Sequence, residues 1–338
     1  MKPRSLVLTA SAVVALLLAG TAAALAFGGP TTPKPMQSIS DPFSNVDFSA
    51  LPPLQRYPAR DGARLAYRSY AATTPAGSAG QKSRGSVVLV HGSSANSQSL
   101  HPLAQSLAQA GFTVYALDVR GHGESGPRGD IGYVGQLDDD LQDFVRAIQP
   151  AAPRTLAGFS AGGGFALRVA GGERQALFDN YLLMSPYTNR RAPTYRPDAG
   201  GWVSVGIPRV VALSLLNRVG ISAFNHLPVI DFAVSNAPRA ELTPSYSYAL
   251  VTNFQPHMDY QADIQGIRKP TAVLVGSNDE VFVADKFAQT FADAGRPDIP
   301  VTLVPGAGHI TLTLDPAARA AAVAAIERLD AGGPADRP

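Results

Sequence analysis

The amino-acid sequence predicts an α/β fold with a mostly parallel central sheet flanked by helices. Apolar runs such as SVVLVH (86–91), RTLAGF (154–159) and TAVLVG (271–276) have the composition of strands that are buried on both faces. Helical stretches around 97–110 and 284–293 follow two of these runs. Strand and helix patterns in alternation are typical of βαβ units, in which helices cover both faces of a parallel sheet.

The composition limits the classes of partner and cofactor. The chain has 338 residues, 45% of them hydrophobic, which is enough for a large core. Lys and Arg number 28 against 26 Asp and Glu, and no basic patch indicates a nucleic-acid partner. The absence of cysteine excludes disulfides and thiolate zinc sites. No histidine pair has metal-ligand spacing and no phosphate-binding GxxxxGK[ST] motif is present, so we expect neither a metal nor a cofactor.

The N-terminus has the pattern of an export signal. A short basic start with Lys2 and Arg4 precedes an uncharged, mostly apolar run from Ser5 to Phe27. Residues 1–27 are predicted to be a cleaved signal peptide or an N-terminal membrane anchor, possibilities that the sequence leaves open. The folded part is therefore expected outside the cytoplasm, in the periplasm or cell envelope if the source is bacterial.

The remaining chain divides into a core, an insertion and two flanking segments. Residues 28–58 are rich in Pro, Gly, Ser and Thr and are predicted to be a flexible linker. The first part of the core is expected at 59–186 and the second at 267–330, with a disordered tail at 331–338. Between the two core parts, residues 187–266 show no strand pattern and predict a helical cap. Such an insertion would lie over the carboxyl edge of the sheet, where α/β ligand sites are found.

The GFSAG stretch (158–162) places Ser160 between a predicted strand and a predicted helix. This context is the one that a nucleophile elbow requires, because a sharp turn there lifts the serine hydroxyl above the sheet. Glycine suits positions 158 and 162, where a Cβ would collide with neighbouring backbone. The alternative interpretation is that Ser160 is only a small residue in a glycine-rich turn.

A serine nucleophile needs a base and an acid that orients the base. Asp279 follows the strand TAVLVG, and His309 follows the next predicted strand. The chain order Ser160, Asp279, His309 is that of G-x-S-x-G hydrolases with a strand-turn-helix elbow. Glu280 is an alternative acid, although Asp is preferred in turns at strand ends.

Two backbone amides are predicted to stabilise the oxyanion that forms during acyl transfer. One belongs to Ala161, next to the nucleophile, and the other to Ser93 in the HGSS loop after the strand SVVLV. A second loop, GHGES (121–125), contains His122, which either contacts substrate or forms a structural turn. His91 and His122 both precede the serine and are weaker candidates for the base.

Five motifs together carry a family resemblance: HGSS, DVRGHGESG, GFSAGG, GSNDEVF and GAGH. In this order, and with an insertion before the acid, they resemble the monoacylglycerol lipase and lysophospholipase branch of the α/β-hydrolase superfamily, also described as serine aminopeptidase-like hydrolases. The resemblance covers roughly residues 60–330 and implies the α/β-hydrolase fold. It also implies cofactor-free hydrolysis of lipid or other carboxylic esters, with Ser160, Asp279, His309, Ser93 and Ala161 in the roles given above. The chain departs from the family in its N-terminal segment and in Ser93, where the lipases often have alanine.

The expected function is that of a serine hydrolase that cleaves carboxylic esters through an acyl-enzyme. The cap contains nine of the 26 aromatic residues, which favours a lipid-like ester, although they could equally pack the cap's own core. The same triad could also act on peptides, lactones or carbon–carbon bonds, and a non-catalytic, envelope-tethered binding protein is a further alternative. Acyl length, head group and oligomeric state cannot be determined from the sequence.

Overall fold

The computed structural model describes residues 3–73, 83–234 and 242–332. The strands in these residues are β1 (Leu54–Pro58), β2 (Arg64–Tyr70), β3 (Ser86–Val90), β4 (Thr113–Leu117), β5 (Arg154–Phe159), β6 (Asn180–Met184), β7 (Val203–Val205), β8 (Pro228–Phe232), β9 (Ser245–Ser247), β10 (Thr271–Gly276) and β11 (Val301–Val304). The α-helices are α1 (Pro3–Phe27), α2 (Gln37–Ser40), α3 (His101–Gln109), α4 (Gln136–Ile148), α5 (Ala161–Gly171), α6 (Ile207–Arg218), α7 (Tyr248–Asn253), α8 (Tyr260–Gly266), α9 (Phe287–Asp293), α10 (Thr311–Leu314) and α11 (Pro316–Asp330).

Eight strands form the central sheet, in the order β1-β2-β4-β3-β5-β6-β10-β11. The strands from β4 to β11 in this order pair in parallel, whereas β2 pairs antiparallel with both β1 and β4. The mostly parallel sheet and the α/β class predicted from the sequence are therefore confirmed. Parallel pairing places the carboxyl ends of β3, β5, β10 and β11 at one edge of the sheet.

The two faces of the sheet are covered by different helices. Val88 and Val90 of β3 belong to the core cluster that also contains residues of α4, α5 and α9. Val87 and Leu89 belong to a second cluster, which α3 and α11 complete. Because side chains alternate along a strand, burial on both faces requires a continuous apolar run. This requirement explains why the SVVLV run was recognisable in the sequence.

The prediction that residues 28–58 form a flexible linker is wrong for two segments. Leu54–Pro58 is the edge strand β1, which pairs with β2 from Leu54 opposite Arg68 to Pro58 opposite Arg64. Residues 37–45 form α2 followed by a 3-10 turn at Asp41–Asn45. An edge strand needs only one buried face, and in β1 only Tyr57 is fully buried, so its sequence lacks the apolar run of a central strand.

The cap predicted as helical at 187–266 also contains a sheet. Strands β7, β8 and β9 pair antiparallel to form a separate three-stranded sheet, which α6 and α7 contact, whereas α8 packs against α5. β7 precedes α6 and β9 precedes α7, and each of these two strands has only three residues. Strands this short carry too few residues for their alternation to be recognised.

Asn253 of α7 fixes the cap to the core. Its side-chain oxygen accepts hydrogen bonds from the amides of Gly135 and Leu137 at 2.8 and 2.9 Å, at the start of α4. Its Nδ2 donates to Asp138 at 2.7 Å, and the carboxylate of Asp138 also pairs with Arg168 of α5. Asn253 is fully buried, so these bonds replace those that it would make with water.

The N-terminal residues 3–27 form helix α1, which lies against α6 of the cap. Arg209 of α6 donates from Nε to the carbonyl of Leu25 at 2.9 Å. Within the described residues, no helix combines the length and apolarity needed to cross a membrane, so the predicted transmembrane helix is not supported. Residues 333–338, most of the tail predicted to be disordered, lie outside the described residues.

Candidate active site

Ser160 occupies a strained turn between β5 and α5. Its φ of 56° and ψ of −118° are uncommon for a residue other than glycine. The turn is held on both sides, because the Ser160 amide donates to the carbonyl of Met184 at 2.9 Å and the Ser160 carbonyl accepts from the amides of Gly164 and Tyr187 at 3.0 Å. Such strain costs on the order of 1–3 kcal/mol and persists only where surrounding contacts enforce it.

Gly158 and Gly162 are sterically required at the elbow. A Cβ at position 158 would overlap the carbonyl of Gly162, and a Cβ at position 162 would overlap the carbonyls of Val90 and His91. These are backbone atoms that cannot rotate away. The close approach that the sequence predicts for both glycines is present in the structure.

The structure brings Ser160, His309 and Asp279 into one hydrogen-bonded line. His309 Nε2 lies 3.0 Å from Ser160 Oγ, and His309 Nδ1 lies 2.9 Å from Asp279 Oδ2. All three residues are buried, with 7% or less of their surface exposed. With Nδ1–H donating to the carboxylate, Nε2 is left to accept the serine proton, as a general base must.

Backbone amides fix the Asp279 carboxylate. Its Oδ1 accepts hydrogen bonds from Val281 and Phe282 at 2.9 and 2.8 Å. Burial alone would raise the pKa of Asp279, but the His309 ring and the hydrogen bond from the Phe282 amide outweigh burial and help to hold the pKa below its ordinary value. Asp279 is therefore ionised and able to orient the imidazole.

Glu280, the alternative acid, contacts the same histidine at a different atom. Its Oε2 accepts a hydrogen bond from the backbone amide of His309 at 2.9 Å. It therefore holds the loop that carries the histidine, whereas Asp279 holds the ring.

The predicted oxyanion donors flank Ser160. Ala161 is the first residue of α5, where a helix leaves its amide without an intrahelical acceptor. Ser93 follows β3 and lines the same cavity as Ser160. Among the described residues, neither the Ser93 amide nor the Ala161 amide has a hydrogen-bond acceptor. Both N–H groups are thus free for a ligand.

Two cap residues that sequence analysis missed hold the loop that contains Ser93. Trp202 donates from Nε1 to Ser93 Oγ at 2.9 Å. The hydroxyl of Tyr246 accepts a hydrogen bond from the amide of Ser94 at 2.7 Å, and Ser94 itself has a positive φ of 67°. Both aromatics were counted among the cap residues, but no sequence pattern indicates partners more than 100 residues away.

Tyr246 also contacts His122 of the GHGES loop. His122 Nδ1 lies 3.2 Å from the carbonyl oxygen of Val119, to which its N–H donates. This leaves Nε2 to accept a hydrogen bond from the hydroxyl of Tyr246. Burial lowers the pKa of His122 well below its ordinary value, and the neighbouring His91 lowers it further. Burial likewise lowers the pKa of His91. Neither histidine lines the cavity at Ser160, and both are neutral structural groups, which favours the interpretation of GHGES as a structural turn.

A cavity of about 230 Å³ opens next to Ser160 and His309. Its walls come from the loop after β3, from cap residues such as Trp202 and Val234, and from residues 36–48. Among the described residues, no Asp, Glu, Lys or Arg lines it. The cavity thus joins the Ser160 hydroxyl to an uncharged, mostly apolar space.

A family model described as serine aminopeptidase, S33 matches residues 81–316, well over half of the chain. The chain belongs to this hydrolase family. A monoacylglycerol lipase of Mycolicibacterium smegmatis is 35% identical to this S33 chain over 112 residues, which are 31% of the chain and 39% of that relative. The chain thus spans about two fifths of the length of the curated relative that it matches.

Solved structures also resemble this S33 family member. A soluble variant of monoglyceride lipase from Saccharomyces cerevisiae, in complex with a substrate analog, has a TM-score of 0.62 at 19% identity, covering 85% of this chain and 97% of that one. A monoacylglycerol lipase of Paleococcus ferrophilus has a TM-score of 0.57 at 22% identity, covering 79% and 98%. At these identities the likeness establishes the fold. The predicted resemblance to α/β-hydrolases of the monoacylglycerol lipase-like branch is confirmed.

Proposed function

We propose that this chain is a serine hydrolase that cleaves carboxylic esters of a lipid type, such as monoacylglycerols or lysophospholipids. The observation that carries the proposal is the unbroken hydrogen-bonded line from Ser160 Oγ through the His309 ring to Asp279. In this proposal Ser160 is the nucleophile, His309 the general base and Asp279 the acid that orients the base.

Acylation is the first half of the proposed reaction. His309 Nε2 takes the hydroxyl proton while Ser160 Oγ bonds to the ester carbon, which gives a tetrahedral oxyanion. The amides of Ser93 and Ala161 are proposed to donate hydrogen bonds to that oxyanion. Its collapse breaks the bond to the alcohol oxygen, which leaves with the proton from His309. The acyl group then remains on Ser160.

Deacylation repeats the same steps with water. His309 Nε2 removes a proton from a water molecule whose oxygen bonds to the acyl carbon. The second tetrahedral intermediate collapses, the proton returns to Ser160 Oγ, and the free carboxylic acid leaves. Through both halves, protons move only among Ser160, His309, the leaving alcohol and the attacking water, so the steps balance.

The cavity supports the choice of a lipid-like acyl group. Its uncharged lining would stabilise an alkyl chain by burial, at about 0.8 kcal/mol for each methylene. Its volume of about 230 Å³ lies below the roughly 300–1,000 Å³ of typical drug-sized ligand sites. A single acyl chain suits such a space better than a folded peptide. The M. smegmatis relative is named a monoacylglycerol lipase, which agrees with this choice.

Residues 1–27 are proposed to be an export signal, either removed or retained as an anchor, so that the hydrolase acts outside the cytoplasm. The basic start and the apolar run support this proposal. The side chains of Leu16, Leu17 and Leu18 also support it, because they are 66–73% exposed and the fold does not bury them. N-terminal sequencing of the protein from separated cell fractions tests it. Recovery of the uncleaved chain in the cytoplasmic fraction would contradict it.

Ester hydrolysis is tested with the full-length chain and a panel of p-nitrophenyl esters. Ser160→Ala should lower turnover by about five orders of magnitude without changing the melting temperature by more than a few degrees. A fluorophosphonate probe should modify Ser160 in the wild type, as read by mass spectrometry of the tryptic peptide. Turnover that survives the substitution would overturn the assignment. An absence of both turnover and labelling would favour the binding-protein alternative.

A further inference from the structure

Residues Met36–Phe48, which we call the strap, lie between the cap and the core beside the cavity. The upstream end is fixed to the cap. Thr31 donates from its amide to Ser204 Oγ of β7 at 3.2 Å, and Met36 donates from its amide to the carbonyl of Ala233 at 2.8 Å. Ala233 itself lines the cavity. The strap therefore enters the site from the cap side along a defined path.

The downstream half of the strap packs on the core. Phe43 contacts the cluster that α3 and α11 complete, and Ile39 packs against both core clusters. The ring of Phe48 lies 6.0 Å from the ring of His101, centroid to centroid. His101 is fully buried at the start of α3 and is hydrogen-bonded to Tyr70 at 3.0 Å. The strap thus connects the cap to the core.

One face of the strap is turned to the cavity. The strap residues that line it are Met36, Ile39, Ser40, Phe43 and Phe48. All five are half-buried, whereas the intervening Gln37, Ser38 and Asp41 are exposed. Spacings of three and four residues place the first four on one side of a helical segment. This face is apolar apart from Ser40. The Ser40 hydroxyl lies 3.5 Å from the carbonyl oxygen of Gln37 and 3.5 Å from Asp41 Oδ1, and both residues belong to the strap.

We propose that the strap determines which acyl chains the site accepts, with Ile39 and Phe43 limiting chain length. This inference rests on the proposed ester hydrolysis at Ser160. The strap supplies five of the residues that line the cavity, and the other walls come from the cap, from the loop after β3 and from residues next to Ser160 and His309.

Two substitutions, one that shortens a strap side chain and one that enlarges a strap side chain, test the inference in the full-length protein. Phe43→Ala should open the cavity and raise kcat/KM for p-nitrophenyl palmitate relative to the butyrate by about tenfold. Ile39→Trp should close it and lower the same ratio by about tenfold. Ser44→Ala is the matched control, because Ser44 is an exposed strap residue that does not line the cavity. An unchanged ratio in both variants would overturn the inference.

A binding measurement separates failure of the inference from failure of the proposed function. Ser160→Ala protein, with and without Phe43→Ala, is titrated with octanoate and palmitate by calorimetry. The enlarged cavity should bind palmitate about tenfold more tightly relative to octanoate. A shift in binding without any ester turnover would support the strap while contradicting ester hydrolysis. Turnover that depends on Ser160, with equal binding preferences in both proteins, would contradict the strap alone.

Discussion

Glu280 holds the backbone of His309: its Oε2 accepts a hydrogen bond from the His309 amide at 2.9 Å, while the adjacent Asp279 holds the ring. Two consecutive carboxylates thus bind one histidine at two different atoms. Only the contact at the ring can set the tautomer that a general base needs.

The two carboxylates should therefore differ sharply when each is replaced by its amide. Asp279→Asn should lower kcat by about four orders of magnitude, because an amide favours the wrong imidazole tautomer. Glu280→Gln should lower it by less than about tenfold, because the amide oxygen still accepts from the His309 backbone. Steady-state kinetics on both variants measures the difference. Equal losses would show that the contact to the backbone matters as much as the contact to the ring.

Tyr246 is predicted to position the oxyanion loop from the cap. Tyr246→Phe removes the acceptor of the Ser94 amide and the donor to His122, so kcat should fall by about tenfold with a smaller change in KM. Tyr248→Phe is the control, because its hydroxyl contacts Ser214 within the cap, 3.1 Å away. If the two variants have the same kcat, Tyr246 serves only the packing of the cap.

Asn253 should be among the most sensitive positions for stability. Asn253→Ala leaves the amides of Gly135 and Leu137 without their acceptor, and the free energy of unfolding should fall by about 2–4 kcal/mol. Urea denaturation measures the change. The exposed Asn45, replaced by alanine in the same way, should alter stability by less than about 0.5 kcal/mol. Similar losses at both positions would contradict the anchoring role of Asn253.

Asp330 should make stability depend on pH. Burial raises the pKa of this carboxyl from its ordinary 3.8 to about 6, with a further increase from Asp179 and an opposing effect of Arg84. The folded state therefore holds the proton more tightly than the unfolded chain, and the stability that this proton contributes is lost as pH rises from about 4 to about 6.

Asp330→Asn should remove that loss. Because the group is about half exposed, the expected gain near neutral pH is only about 1 kcal/mol. Denaturation curves across this pH range test the sign, with the exposed Asp285→Asn as the control. The prediction would be contradicted if the free energy of unfolding of the wild type rose between pH 4 and 6 and rose by the same amount in Asp330→Asn.

Sequence patterns predicted the central sheet because its inner strands β3, β5, β6 and β10 are buried on both faces. The run Ser86–Val90 is buried throughout and could be recognised by hydrophobicity alone. The positions of Ser160, Asp279 and His309 were predictable for a related reason. Ser160 and Asp279 follow such strands, His309 follows the edge strand β11, and parallel pairing places these strand ends at one edge of the sheet.

The features that the sequence did not predict are either short or depend on contacts between residues that are far apart in the chain. Strand β7 has three half-buried residues, too few to show alternation. The strap was interpreted as linker because residues 28–58 as a whole are rich in Pro, Gly, Ser and Thr, although its few apolar residues fall at helical spacing. The contacts of Trp202 with Ser93 and of Tyr246 with Ser94 join residues 109 and 152 positions apart. Only the folded arrangement of cap and core brings them together.

The separation of Ser160 from His309 along the chain has a consequence for biosynthesis. Ser160 is 149 residues ahead of His309, and the whole cap, β10 and β11 lie between them. A growing polypeptide that has already formed the elbow still lacks any group able to activate the serine. Under the proposed mechanism, the nascent enzyme stays inert until the final strand and the loop after it have emerged and folded.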